Sequence, residues 1–201
     1  AASRVEPAVP DIERADAEMR QDAHTGARVY VVRSRQARPN LPETTCPFCP
    51  GGVEAPEPYE VRWFPNRWPA MPGGRCEVVL YAPDHEATLW SLGVSGARKV
   101  IDLWAERSAV LGARDDIAYV LVFENRGAEV GATIPHPHGQ IYAFDTIPDQ
   151  PLRELERGER FPPAGDRLVA TSPGWRAWVP EAPIFPYALT LAPEDPVPDL
   201  P

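Results

Sequence analysis

Histidine, cysteine and methionine are scarce in this chain, at 4, 3 and 2 among 201 residues. Three cysteines are too few for the disulfide scaffold of a small secreted domain. Two of them, Cys46 and Cys49 in "CPFC", are left for metal binding or redox chemistry, and Cys76 in "GRCEVVLY" reads as a buried thiol. No stretch approaches the roughly 20 apolar residues of a membrane span. The N-terminus lacks a charged start followed by an apolar block, so no export signal is read and a cytoplasmic location is expected. No basic run interrupts a net charge of -9 and a pI near 5.0, which opposes the electrostatic term that nucleic-acid binding needs. A small polar or phosphorylated ligand met by a few arginines suits this balance better.

Proline, by contrast, is abundant, with 26 residues scattered between apolar segments where they punctuate turns and strand ends. Residues 1–26 read as a polar N-terminal arm, and the fold is expected to start near Ala27 with "ARVYVVRS". The segment from Arg38 to Glu57, rich in proline and glycine, reads as a loop that something must hold in place. "YEVRWF", "EVVLYA" and "IAYVLVFENRG" predict strands, and Ala97, Val100, Leu103, Trp104, Val110 and Leu111 recur at helical spacing between the last two. After "QIYAF" an acidic, polar stretch, "DQPLRELERGER", precedes three more short strands in "DRLVA", "WRAWVP" and "YALTLAP". This order predicts an α+β fold with a mostly antiparallel sheet and packed helices. "EVVLYAPDH" and "ALTLAPEDP" each set a short strand before Ala-Pro and an acidic turn, which hints at a degenerate second copy of the first unit.

Cys-x-x-Cys on a loop is a common metal half-site, because two thiolates can close on one ion at Zn–S distances of about 2.3 Å without straining the backbone. A second half must come from His24, His85, His136 and His138; His85 and one member of the "HPH" pair are the candidates. A reduced cysteine pair beside unrelated histidines stays open as the alternative. A redox pair is disfavoured, since no helix signal follows the first cysteine to lower its pKa.

"TIPHPHGQIYAF", residues 133–144, sets two histidines in a stiff proline frame. Pro135 and Pro137 push Ile134 and His136 into extended or polyproline II geometry, where positions i and i+2 diverge by roughly a third of a circle. His136 and His138 can then serve two sites, one anchored and the other presented to a substrate. Gly139 permits close approach by a ligand, and Gln140 supplies an amide donor beside the presented ring. A metal site or surface decoration is the plainer account of a His-x-His pair. A zinc hydrolase of the His-x-His-x-Asp kind is weakened by Gln140, a poor ligand, at the third position.

With "FENRGAEVGATIPHPHGQIYA" at residues 123–143 and "RSRQARP", "CPFC" and "APDH" upstream in order, the chain resembles galactose-1-phosphate uridylyltransferase, a branch of the histidine-triad superfamily. The resemblance implies a histidine-triad-like fold, with a first catalytic unit at 27–150 and, at 151–201, a linker and the start of a second, incomplete unit. It implies that His138 is the nucleophile for UMP transfer between UDP-glucose and galactose 1-phosphate, and that Gln140 contacts a phosphate oxygen. By the same carry-over Cys46, Cys49, His85 and His136 hold a structural Zn2+. Arg35 and Arg38 approach nucleotide phosphates across a homodimer interface, Asn66 and Asn125 contact the nucleotide, and Thr133 keeps a hydroxyl near the phosphate where many members have serine. Ala132 and Ile134 replace more polar or sulfur-bearing residues. Glu154 matches a residue that in some members helps bind a second metal, which this chain alone does not support. The chain stops at "DPVPDLP", inside what should be the second half, so a fragment, a split-gene product or a paralogue with another nucleoside or acceptor is expected. A zinc-stabilised nucleotide-binding remnant without turnover is the alternative from outside the enzymes.

Overall fold

The computed structural model describes residues 17–33, 45–158, 164–195 and 197. It is α+β, as expected, with antiparallel sheets and two α-helices. The described fold begins before the first apolar run. Ala17–Gln21 forms a strand, β1, paired antiparallel with β2 (Arg28–Val32) from Ala17↔Val32 to Gln21↔Arg28. β1 falls in the stretch expected to be a polar arm, because "AEMRQ" carries one apolar side chain of any size, Met19. Its turn is written in local chemistry: the Asp22 carboxylate accepts from the backbone N–H groups of His24 (2.9 Å) and Thr25 (2.7 Å), and Gly26 takes a φ of 73°. Tyr30 Oη donates to Asp145 at 2.8 Å and Arg28 donates to the Ile147 carbonyl at 2.9 Å, which ties the hairpin to the chain that follows the central sheet.

That central sheet has the order β3 (Arg62–Pro65), β4 (Cys76–Leu80), β6 (His138–Phe144) and β5 (Tyr119–Phe123), all antiparallel. All five residues of β4 are buried, so it is covered on both faces. On one face Val79, Ile141 and Ala143 pack under Val100 and Leu111 of α1 (Gly93–Gly112), with Leu103 and Trp104 beside them. On the other, Val78 and Leu80 pack with Phe48, Ala55 and Phe64, so the Cys-bearing loop is the second cover. Helix and sheet are also joined by a buried ion pair. Arg107 donates from Nε and Nη2 to Glu77 at 2.9 and 2.7 Å, and its guanidinium carbon lies 3.5 Å from the centroid of the Trp63 ring.

Residues from 150 onward form a second compact unit. It holds the antiparallel strands β7 (Leu168–Ser172), β8 (Trp175–Trp178) and β9 (Thr190–Pro193) around Ala164, Trp178 and Ala192. The unit opens with a helix, α2 (Asp149–Arg157), in a polar stretch whose sequence pattern predicts no element. Only Leu152 and Leu155 carry its apolar signal, too little for a periodicity. The helix is supported instead by Asp149 in its first turn, Arg157 in its last and Gly158 at φ 61° as its stop.

Candidate active site and metal centre

The loop of residues 45–55 delivers Cys46 and Cys49 to the end of β4, where the chain turns through Ala82 to His85. Proline geometry at residues 135–137 brings His136 to the same place. The ligand atoms of Cys46, Cys49, His85 and His136 lie within 4.8 Å of one another. Cys49 Sγ is 3.5 Å from His85 Nδ1 and 3.6 Å from His136 Nδ1. Tetrahedral ligation at about 2.0–2.3 Å separates ligand atoms by about 3.3–3.8 Å, so two thiols and two imidazoles stand nearly at coordination spacing.

The surroundings of His136 fit a ligand as well. It is 1% exposed, and its Nε2 lies 2.9 Å from the Ala82 carbonyl. A carbonyl cannot donate, so Nε2 carries the proton and the Nδ1 lone pair is aimed at the cluster. Burial pushes the His136 pKa down, which keeps the ring neutral. The Tyr59 hydroxyl donates to the Phe48 carbonyl at 2.7 Å and stands 2.9 Å from His136 Nε2. Burial, then the neighbouring cysteines, raises the Tyr59 pKa, so the phenol remains a donor. Burial and the adjacent Cys46 likewise push the Cys49 thiol up. A cation would reverse that preference and release protons on binding.

His138 opens β6 and lines a cleft of about 380 Å³. Its Nδ1 is 2.7 Å from the backbone carbonyl of His136. The carbonyl again dictates the tautomer: Nδ1 holds the proton and Nε2 the lone pair. Phe48 packs edge-on against the ring at 5.0 Å between centroids. Gln140, two residues on and on the same face, also lines the cleft. Its Oε1 lies 3.5 Å from Asn66 Nδ2 and 3.4 Å from the Tyr142 hydroxyl, which turns its amide N–H groups into the donor end. Asn66 uses its own Oδ1 to accept from Trp68 N at 2.9 Å.

The cleft walls are apolar and aromatic, from Val53, Phe64, Trp68, Val78 and Ile134, and Thr133 joins the polar side. At the rim Arg67 pairs with Glu54 at 3.0 Å. Such a lining suits a flat apolar ring system with a polar or charged tail. Cys46 and Phe48 border the cleft too, so the metal-ligand loop forms part of its wall.

The geometry therefore gathers Cys46, Cys49, His85 and His136 in one cluster, and Asn66, Thr133, His138 and Gln140 in one cleft. Asn125 is exposed in the loop after β5 and does not line the cleft. Arg35 and Arg38 lie outside the described residues. Glu154 sits exposed on α2, and among the described residues it joins no group of metal-ligating side chains. Gly139 serves a purpose other than the ligand approach expected of it: it is buried on the helix-side face, where a Cβ would collide with the Tyr81 hydroxyl. Sequence reasoning missed Tyr59, Phe48, Glu54, Arg67 and Trp68. Phe48 had a signal, as the one apolar residue between the two cysteines; the others had none.

The profile described as "Galactose-1-phosphate uridyl transferase, N-terminal domain" matches residues 66–148. Among curated relatives, the galactose-1-phosphate uridylyltransferase of Thermotoga maritima is 33% identical over 211 residues, covering 88% of this chain and 66% of the relative. That of Streptomyces lividans is 39% identical over 180 residues, covering 79% and 51%. A solved uridylyltransferase structure superimposes with a TM-score of 0.73 at 27% identity, covering 88% of this chain and 65% of that one. Fold and sequence thus define a chain of the uridylyltransferase class. In sequence it is similar to the galactose-1-phosphate uridylyltransferases, whose N-terminal domain it matches over residues 66–148, and it spans about half to two thirds of the length of these relatives.

Proposed function

We propose that this protein transfers UMP between UDP-glucose and galactose 1-phosphate through a covalent uridylyl group on His138. The observation that carries this reading is the 2.7 Å contact from His138 Nδ1 to the His136 carbonyl, which puts the lone pair on Nε2 at the wall of the cleft. Nε2 attacks the α-phosphorus, the bond from phosphorus to the bridging oxygen breaks, and glucose 1-phosphate leaves with that electron pair. The ring, now bearing the phosphoryl group, keeps its Nδ1 proton in the bond to the carbonyl, which spreads the positive charge of the imidazolium. In the second half a phosphate oxygen of galactose 1-phosphate attacks the same phosphorus and the P–N bond breaks. The Gln140 amide donates to a non-bridging oxygen as charge builds there, and Thr133 supports the same oxygens. Phe64, Trp68, Val53 and Val78 hold the base.

Cys46, Cys49, His85 and His136 would hold a structural Zn2+, whose chemistry here is to cross-link the loop of residues 45–55 to the strand that carries His138. In the same reading Arg35 and Arg38 reach nucleotide phosphates across a homodimer, Asn125 contacts the nucleotide, and the protein works in the cytoplasm. Incubation with UDP-glucose followed by intact-mass measurement should show a gain of one uridylyl group, absent in His138→Ala. A panel that includes ADP-glucose tests the base, since an ADP-glucose phosphorylase of Arabidopsis thaliana shares the fold at a TM-score of 0.60 and 22% identity. An adenylyl adduct in place of the uridylyl one would reassign the donor, and no adduct with any donor would leave a binding protein.

A further inference from the structure

Along β6 the residues alternate: His138 and Gln140 face the cleft, while Gly139, Ile141 and Ala143 are buried toward α1. Behind Gly139 stands Tyr81, 2% exposed, whose backbone N–H donates to the Pro137 carbonyl at 3.1 Å. Its ring packs edge-on against Trp104 of α1 at 5.6 Å between centroids. A Cβ at position 139 would overlap the Tyr81 hydroxyl and lie 3.1 Å from both Tyr81 Cζ and the Phe123 carbonyl. The phenol oxygen therefore fills the notch that glycine leaves, directly under the backbone between His138 and Gln140.

That hydroxyl is buried and closes no hydrogen bond of good geometry. The group it faces is the carboxyl of Glu124, half-buried just after β5 and near Arg126. Burial raises the pKa of both Tyr81 and Glu124, and the carboxylate's charge adds to the rise at Tyr81. Neither side chain lines the cleft. A sealed tyrosine and a half-buried carboxyl group, on the reverse side of the segment that carries the reacting groups, have no part in the chemistry described above.

We propose that Tyr81 and Glu124 are positioning residues. The phenol braces the Gly139 backbone from the helix side and Glu124 holds the phenol there, so that His138 Nε2 and the Gln140 amide keep their aim into the cleft. This rests on the reading of His138 as nucleophile, and it extends that reading to two residues that touch no substrate. Reach is short and the segment is one strand, so a displacement of Gly139 moves both neighbours together; misplacement by about 1 Å can cost about a hundred-fold in rate.

The test uses the full chain loaded with zinc. Tyr81→Phe and Glu124→Gln should each slow adduct formation at saturating UDP-glucose about ten-fold, with the half-saturating concentration within about two-fold of wild type and zinc content preserved. Gly139→Ala should slow it more than about a hundred-fold, and adding Tyr81→Phe should restore at least about ten-fold by making room for the methyl group. Rates within about two-fold of wild type in Tyr81→Phe and Glu124→Gln would overturn the proposal, as would loss of substrate affinity at unchanged rate. If Gly139→Ala does not fold, those two variants decide. If wild type forms no adduct, the functional reading fails by itself. The brace is then judged by the Gly139 amide resonance, which should shift in both variants; an unmoved resonance would overturn it.

Discussion

His136 and His138 share one proline frame and one chemistry, and the protein uses their surroundings to make them different. His136 is sealed at 1% exposure, its Nε2 proton given to the Ala82 carbonyl and its Nδ1 turned to two thiols and a second imidazole. His138 is half-buried, gives its Nδ1 proton to the His136 carbonyl and turns Nε2 to a cleft. Opposite tautomers follow from which ring nitrogen meets a backbone carbonyl. Cluster and cleft are separate devices that meet at His136 and His138, coupled through the His136 carbonyl and through the loop carrying Cys46 and Phe48.

Separate devices should fail separately. His138→Ala is expected to abolish adduct formation while metal content by elemental analysis and the thermal midpoint stay close to wild type; parallel loss of both would merge the two sites. His136→Ala or Cys49→Ser should instead lower metal content and unfold the loop of residues 45–55. Structural zinc is worth about 10–16 kcal/mol in small zinc-finger peptides, so chelation should produce a large drop in stability and not merely slow turnover. A metal-free preparation that stays folded and forms the adduct would break the distinction from the other side.

Next in size is a control that touches neither device. Arg107→Ala leaves the Glu77 carboxylate buried without its partner, which costs about 3–5 kcal/mol when a buried pair is broken from one side. Denaturant unfolding should register that cost with metal content unchanged, and losing metal as well would show that sheet and cluster are not independent.

Acid should separate the regions by pH. The folded pKa of His136 is depressed below 6.5 by burial, so the unfolded chain binds the extra proton first: its contribution is complete above pH 6.5 and is lost as pH falls below it. Proton competition for the ligands runs the same way, so metal release monitored by a chromophoric chelator should begin in that range. Asp116, held down to about 2 from 3.8 by Arg114 and then Arg75, contributes its stability above 3.8 and loses it only between 3.8 and about 2. Metal release confined to the lower window would contradict the assignment of His136. The smallest effect is expected at the rim, where the side chain of Arg67 is 49% exposed: Arg67→Ala should change stability by no more than about 1 kcal/mol and act on the half-saturating nucleotide concentration.

Residue types, spacing and local stiffness were legible without coordinates. Period-two and helical patterns are consequences of backbone geometry, so the strands of the central sheet and α1 could be located from apolar residues alone. Where that signal is thin, as in β1 with Met19 and α2 with Leu152 and Leu155, hydrogen bonds from Asp22 and charges at the helix ends decide instead. The two prolines around His136 likewise restrict the chain whatever the fold. Which ring nitrogen bears a proton, by contrast, depends on carbonyls brought up by packing: that of Ala82, 54 residues from His136 in sequence, and that of His136 itself, two residues from His138 and turned onto its ring. Gly139 makes the same point. Its missing side chain is plain in the sequence, but only the folded sheet, by setting Tyr81 of the strand-end beside it, decides that the space belongs to the protein's own hydroxyl, because register between distant strands is a property of the whole sheet.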